Sequence, residues 1–336
     1  MTDTRANIAS VVERMRPLDA QAPVVAVHFL GEIAVFVLGE ETLLFVPRAG
    51  DARRVPIHGG AVLSSAADAS RIVTGGDDGK VMATDAEGKS IVLASDAKHR
   101  WIDHVAVGPA GAIAWSAGRE VFVRTAKGAE RTLAVPSTAG GLAFAPKGLR
   151  LAVAHYNGVT LWFPNAQSAP DMLAWKGSHL AAIFSPDARF LITSMQEPTL
   201  HGWRLADRKD MRMSGYSARV RALDFSVGGK WLATSGSNQL ILWPFQAKDG
   251  PMGKTPRLLA PTETQVEVVA CHPKQEVVAI GYADGLVLLV RIEDGAEILA
   301  RKGAGAPVTA LAWSATGTAL AVGAEDGSAG VVDLGD

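Results

Sequence analysis

Short apolar runs separated by small or polar residues recur along the whole chain. VVAIGYADGLVLLV (277–290), ALAVGAEDGSAGVV (319–332), RLAVAHYNGVTLW (150–162) and KWLATSGSNQLILW (230–243) each read as a strand, a tight turn and a second strand. RIVTGGDDGKVMATD (71–85) repeats the pattern, with Asp78-Gly79 as its turn, a dipeptide that strongly favours a two-residue hairpin. A further strand precedes each pair: VAVHFLGE, HVAVGPAG, GLAFAPKG, AAIFSPDA, RALDFSVGG, VVACHPKQ and TALAWSATG. These first strands begin near Val24, Ala61, Ile102, Gly141, Leu180, Arg221, Val266 and Val308, so seven intervals cover 284 residues, about 41 residues each.

A more variable fourth strand ends most units: RRVPIHGG, KSIVLASDA, ERTLAVPST, DMLAWKGS, DMRMSGYS, PRLLAPTE and AEILARKGA. Four short strands at this period predict an all-β radial array of small sheets, and no helical periodicity of useful length competes with it. The eighth unit ends at Asp336 after three strands. ERMRPLDAQA matches the fourth strands in length and placement, and Pro17 is tolerated on an outer edge, so residues from about Val11 to Asp19 are expected to close the ring. The expected organisation is a segment at 1–23 that supplies this strand and a single domain at 24–336.

Two glycine-rich stretches imitate nucleotide loops, but neither keeps the pattern. Around Lys80, Thr74 stands where a phosphate loop needs its first glycine, Val81 follows the lysine, and Asp77 and Asp78 would repel an anion. Lys248 breaks the match around Gly253-Lys254-Thr255, where KDGPMGKTP predicts a loop. Asp326-Gly327-Ser328-Ala329-Gly330 lacks the leading glycine and the strand-to-helix turn of a nucleophile elbow.

The 336 residues are 48% hydrophobic and 20% charged, enough for a large core. With 33 basic and 34 acidic side chains there is no basic surplus for nucleic acid. Apolar runs are interrupted by turns before they could span a bilayer, and Glu13, Arg14 and Arg16 break any leader-like core, so a cytoplasmic protein without a membrane partner is expected. One cysteine, Cys271, rules out an intrachain disulfide framework. The alanine-rich, lysine-poor composition suggests a bacterial source. Nothing in the repeat compels assembly, and a monomer is expected. Of the eight histidines, His99 and His104 are five apart with no completing ligand, and His155, His201 and Cys271-His272 fall in different units; no metal or other cofactor is expected.

The repeat resembles the WD40-repeat β-propeller family over residues 24–336. The resemblance rests on the SPDARFLIT run (185–193), the GGDDGKVMATD run, and Trp162, Trp203 and Trp243 at the ends of third strands. The Trp-Asp dipeptide itself is replaced by Thr84-Asp85, Trp162-Phe163, Trp203-Arg204, Trp243-Pro244 and Val332-Asp333, while His58, His99 and His179 lie near the positions of the family's histidine. The resemblance implies a closed propeller of four-stranded blades. The first strands number eight, and seven, the commoner count in the family, is the alternative.

It also implies a non-enzymatic scaffold for protein partners, with middle-strand turns and first-strand entries sharing the working face. The residues expected on that face are Trp101, Asp103, Tyr156, His179, Arg219, Arg221, Tyr282 and Glu325. Trp, Tyr and Arg are the usual anchors of interfaces, and the acids suit a partner with basic and apolar features. The alternative is an enzyme, or a metal- or small-molecule-binding propeller, with its site at the central channel; His28, His104 and His272 lie on or beside the first strands that would line it.

Overall fold

A computed structural model describes residues 8–303 and 305–335, and in it the apolar runs form strands throughout. The first sheet takes Val24–Leu30, Ile33–Leu38, Thr42–Val46 and Arg53–Pro56 in chain order. The second and third repeat this order over Val62–Ala67 to Ser90–Ser95 and His104–Val107 to Glu130–Ala134. Three more run from Leu223–Phe225 to Arg257–Leu259, from Val266–Cys271 to Glu297–Arg301, and from Val308–Trp313 to Ser328–Asp333.

Between the third and the Leu223–Phe225 sheet lies one of six strands, from Gly141–Phe144 to Lys209–Met213. The strands of the described residues thus form seven hydrogen-bonded sheets, the alternative count rather than eight, because one long strand links two sets of strands. Asp171–Phe184 is a single 14-residue strand. Its first part pairs Asp171–Ala174 with Leu161–Gly158, and its last part pairs Ala181–Phe184 with Ser194–Leu191. No proline or Asp-Gly turn interrupts it. Gly177, at φ +109°, bends the chain without ending the strand.

The N-terminal segment has two roles. Met15–Asp19 pairs antiparallel with Ser328–Asp333 and completes the last sheet as its fourth strand, as the sequence leads one to expect. Ala9–Ser10 pairs parallel with Ile298–Leu299 and adds a fifth strand to the preceding sheet.

The chain divides into two compact units, one of residues up to Phe36 with Arg221–Asp336, the other of Val37–Val220. Within each, inner strands of successive sheets stand side by side. In the first, the strands beginning at Leu223, Val266, Val308 and Val24 follow one another; in the second, those beginning at Val62, His104 and Gly141 do so.

The core lies between the sheets. Middle strands are buried on both faces, which is why they read as unbroken apolar runs: Ile33–Leu38, Phe190–Met195 and Leu240–Pro244 have almost no accessible side chain. Outer strands such as Arg53–Pro56 and Glu130–Ala134 are exposed and charged. One glycine position recurs where sheets meet. A Cβ on Gly281 would lie 2.6 Å from Val308, and one on Gly323 2.4 Å from Val24, the first residue of the next inner strand in each case. Small size here sets the distance between sheets.

In the six-stranded sheet the core includes His201, whose side chain has no solvent exposure. Its ring stacks on Trp175, with centroids 3.9 Å apart and planes at 15°, and meets Trp203 edge-on at 4.7 Å. Neither ring nitrogen has a hydrogen-bond partner among the described residues, and the nearest carboxylate oxygen, on Asp210, is 3.7 Å from Nε2. Burial pushes the His201 pKa down to about 4.

Two outcomes follow from this architecture. Removing residues 1–22 strips the fourth strand from the last sheet and the fifth from its neighbour, so thermal unfolding is expected to fall by at least about 5 °C, at roughly 2–4 °C per kcal/mol in a large domain. The second concerns pH. His201 is neutral when folded but takes a proton near pH 6.5 when unfolded, so its contribution is intact above that pH and is lost as pH falls towards 4. The loss between pH 7.5 and 5 is up to about 2 kcal/mol. Unfolding curves at the two pH values should differ less in His201→Gln than in the parent.

Candidate functional site

Each turn between the two middle strands of a sheet is hydrogen-bonded to a loop that enters an inner strand. In the second unit Val62 N donates to Glu40 O (3.1 Å), Asp77 N to Ala61 O (3.1 Å), Ile102 N to Gly76 O (3.1 Å), Ala139 N to Gly118 O (2.9 Å) and Gln196 N to Ser178 O (3.0 Å). The first unit repeats the seam, with Ser235 N to Ala222 O (3.1 Å), Ala283 N to Gln265 O (2.8 Å) and Glu325 N to Pro307 O (3.0 Å). Turns and entry loops thus form one rim in each unit, tied together by backbone hydrogen bonds.

Trp101 is 61% exposed and Tyr156 58% exposed, the two most exposed large apolar side chains among the described residues. Hydrogen bonds link the loops that carry them. Asp103 accepts from Gly118 N (3.2 Å), the Gly118 turn accepts from Ala139, and Ser137 Oγ in that same loop accepts from Tyr156 N (2.9 Å). Tyr156 precedes Asn157 and Gly158, both at positive φ (68° and 142°), so the turn geometry holds the tyrosine out of the core. Arg219 is exposed on the same unit's rim, its Nη1 3.4 Å from Gln196 Oε1.

On the first unit's rim, Arg221 and Glu325 line one pocket of about 270 Å³ with Glu267, Val268, Pro307 and Thr309. Arg221 Nη1 is 3.3 Å from Glu267 Oε2, so the guanidinium is already paired and Glu325 adds negative charge beside it. Glu267 was not apparent as a site residue in the sequence. It is the second residue of an inner strand that otherwise reads as apolar, VEVVAC, and that interruption is the signal for it.

Two of the expected face residues do not reach the surface. His179 has no exposed area; its Nδ1 lies 2.8 Å from Thr193 Oγ1 and its Nε2 3.1 Å from Trp175 O, so it knits the sheet together beneath the rim. Tyr282 is equally buried, and its hydroxyl donates to Ala260 O at 2.6 Å. Tyr282 ends its strand and His179 lies within Asp171–Phe184, and strand alternation turns both side chains inward. They are corrected from contact residues to internal struts.

Asp78 is likewise structural. His58 Nδ1 is 2.9 Å from Asp78 Oδ1, and His58 Nε2 is 2.9 Å from Thr74 Oγ1. Asp78 also accepts from Gly59 N and Lys80 N, and these bonds hold its carboxyl below the usual range although burial opposes them. The residues resembling a phosphate loop therefore form a turn, Gly79 taking φ +75° between Arg71–Gly76 and Lys80–Asp85.

The inner-strand histidines give no shared centre. Burial lowers the pKa of His28 to about 4 and that of His104 in the same direction. His272 Nδ1 accepts from Lys274 N and Gln275 N (3.0 Å each), and its Nε2 lies 3.1 Å from Gly317 O. Asp224 accepts from Cys271 N at 2.7 Å, joining two inner strands, and burial pushes its pKa up to about 6. Burial and the neighbouring Asp224 charge push the Cys271 thiol up, which suppresses thiolate chemistry. Among the described residues, no three His, Cys, Asp or Glu side chains converge as a metal-ligand set, and no helix is long and apolar enough to cross a membrane.

Comparison with known proteins agrees with the architecture. The family model for the WD domain, G-beta repeat, matches residues 209–244, and that for the anaphase-promoting complex subunit 4 WD40 domain matches 269–336. Among solved structures, that of the computationally designed Ika8 protein is similar in fold, at a TM-score of 0.75 and 19% identity over 94% of this chain and 97% of that one. No curated protein matches. The repeat of four strands, the seam of turns and entry loops, and the family-model matches over 209–244 and 269–336 support a WD40-repeat β-propeller.

Proposed function

We propose that the chain is a non-enzymatic scaffold that holds a protein partner on the rim of turns and entry loops. The observation that carries this reading is the pair Trp101 and Tyr156, exposed at 61% and 58% on one hydrogen-bonded rim. Neither side chain serves the core, and burying each against a partner would remove a large apolar area from water. Arg219, on the rim of the same unit, and the Arg221–Glu267–Glu325 pocket on the other would add charge selectivity rather than bulk affinity. Fold alone does not dictate this role, so it rests on the site.

The test compares wild-type protein with Trp101→Ala, Tyr156→Ala and Arg219→Glu as bait in the native host's extract. All three sites are solvent-exposed, so melting temperatures should stay within about 2 °C, as for surface substitutions generally. Loss of Trp101 or Tyr156 should weaken capture at least about tenfold, the effect of removing an aromatic anchor. Equal recovery of the same proteins by all variants would contradict the reading.

A further inference from the structure

Four sharp turns of the rims share one pattern: Asp77-Asp78-Gly79, Ala283-Asp284-Gly285, Glu325-Asp326-Gly327 and Tyr156-Asn157-Gly158. In the first three an aspartate carboxylate accepts a backbone N–H two residues on: Lys80 N at 3.1 Å, Leu286 N at 3.1 Å and Ser328 N at 2.9 Å. The fourth carries a neutral carboxamide in the aspartate's place. Asn157-Gly158 is the one asparagine–glycine step of the sequence; the other asparagines precede Ile8, Ala166 and Gln239.

The fold demands glycine at 158. Its φ is +142°, and a Cβ there would lie 2.2 Å from the Leu173 carbonyl oxygen. Asn157, exposed and at φ +68°, is therefore followed by a residue with no side chain to shield its backbone nitrogen. Two features favour attack of that nitrogen on the Asn157 carboxamide. The two groups belong to adjacent residues, so no encounter between molecules is needed. Asn157 Oδ1 also accepts from Gly177 N at 3.3 Å, and this N–H faces the oxygen on which negative charge develops during the attack.

We propose that Asn157 is a self-modification site, at which the chain deamidates and converts the fourth turn towards the aspartate form of the other three. The Gly158 backbone nitrogen gives its proton to solvent base and bonds to Cγ of Asn157. The Cγ–Nδ2 bond breaks, and Nδ2 takes up a proton and leaves as ammonia. Water then opens the cyclic imide at either carbonyl, adding hydroxyl to carbon and a proton to nitrogen, and yields aspartate or isoaspartate. Each event adds one negative charge next to Tyr156. The chemistry stands apart from the scaffold reading; only its effect on a partner rests on that reading.

Peptide mapping of the full chain by mass spectrometry tests it, after incubation in heavy-oxygen water at about pH 8.5, where the attacking amide deprotonates more readily. A parallel sample in guanidinium chloride supplies the rate for the unfolded chain. Asn157 should become an acid that carries one heavy oxygen, while Asn165 and Asn238 remain amides. The folded rate should stay within about tenfold of the unfolded rate, or exceed it, because the turn presents the reacting pair. Asn157→Gln, which must close a larger ring, should lower the rate at this position at least about tenfold. Conversion of Asn157 more than about tenfold slower in the folded than in the unfolded chain, or conversion of Asn165 as fast as Asn157, would overturn the proposal.

Discussion

The structure depends on one constraint: each sheet has middle strands that are apolar on both faces, and no single sheet can shield them. Ile33–Leu38 and Phe190–Met195 are buried on either side, and only the next sheet can supply the cover. Close approach is then required where an inner strand begins. Gly281 and Gly323 meet the first residues of the following inner strands at distances no Cβ could occupy. The repeat is thus a consequence of burial, and the turns that join the strands gather at the rim because the chain reverses there.

Hydrogen bonds reinforce this packing unevenly. The His58–Thr74–Asp78 set is complete, whereas His179 keeps Thr193 and lies beside Trp203 with no aspartate in the bonded set. Arginines that donate to turn carbonyls of a neighbouring sheet supply other links. Arg71 Nη2 reaches Gly111 O at 3.0 Å, Arg257 Nη2 reaches Glu293 O at 3.3 Å, and Arg53 holds the carbonyl of Glu87. Each such bond contributes about 1 kcal/mol or somewhat more where the donor is charged. Together they explain how strands without a Trp-Asp dipeptide remain in register between sheets. Trp101 and Tyr156 stay exposed all the same, and that exposure underlies the functional reading.

Much of this was legible in the sequence because it depends on local chemistry. Asp78-Gly79 forms the turn its composition demands, and Met15–Asp19 takes the outer position that its length and Pro17 allow. The linking of two sets of strands through one long strand, which makes the count seven rather than eight, was not legible. Lys176-Gly177-Ser178 resembles a unit boundary, yet Gly177 bends one long strand, a matter of backbone pairing rather than composition. His179 and Tyr282 fall at the expected positions in the chain, but their side chains point inward, and one residue of register decides that direction. Trp101 and Tyr156 are exposed because the surrounding loop bonds and the Asn157-Gly158 turn hold them out. Glu267 becomes a pocket residue only when Pro307 and Glu325 of the next sheet are set beside it.

The most direct measurement is site-specific photo-crosslinking in the native host, with a benzophenone amino acid placed at Trp101 and, as a control on the outer part of the same unit, at Met172, an exposed apolar position of 40%. The account predicts a discrete adduct with another protein from position 101 and none of comparable yield from position 172. No adduct at 101, or the same adducts from both positions, would contradict the claim that the rim is where this propeller holds its partner.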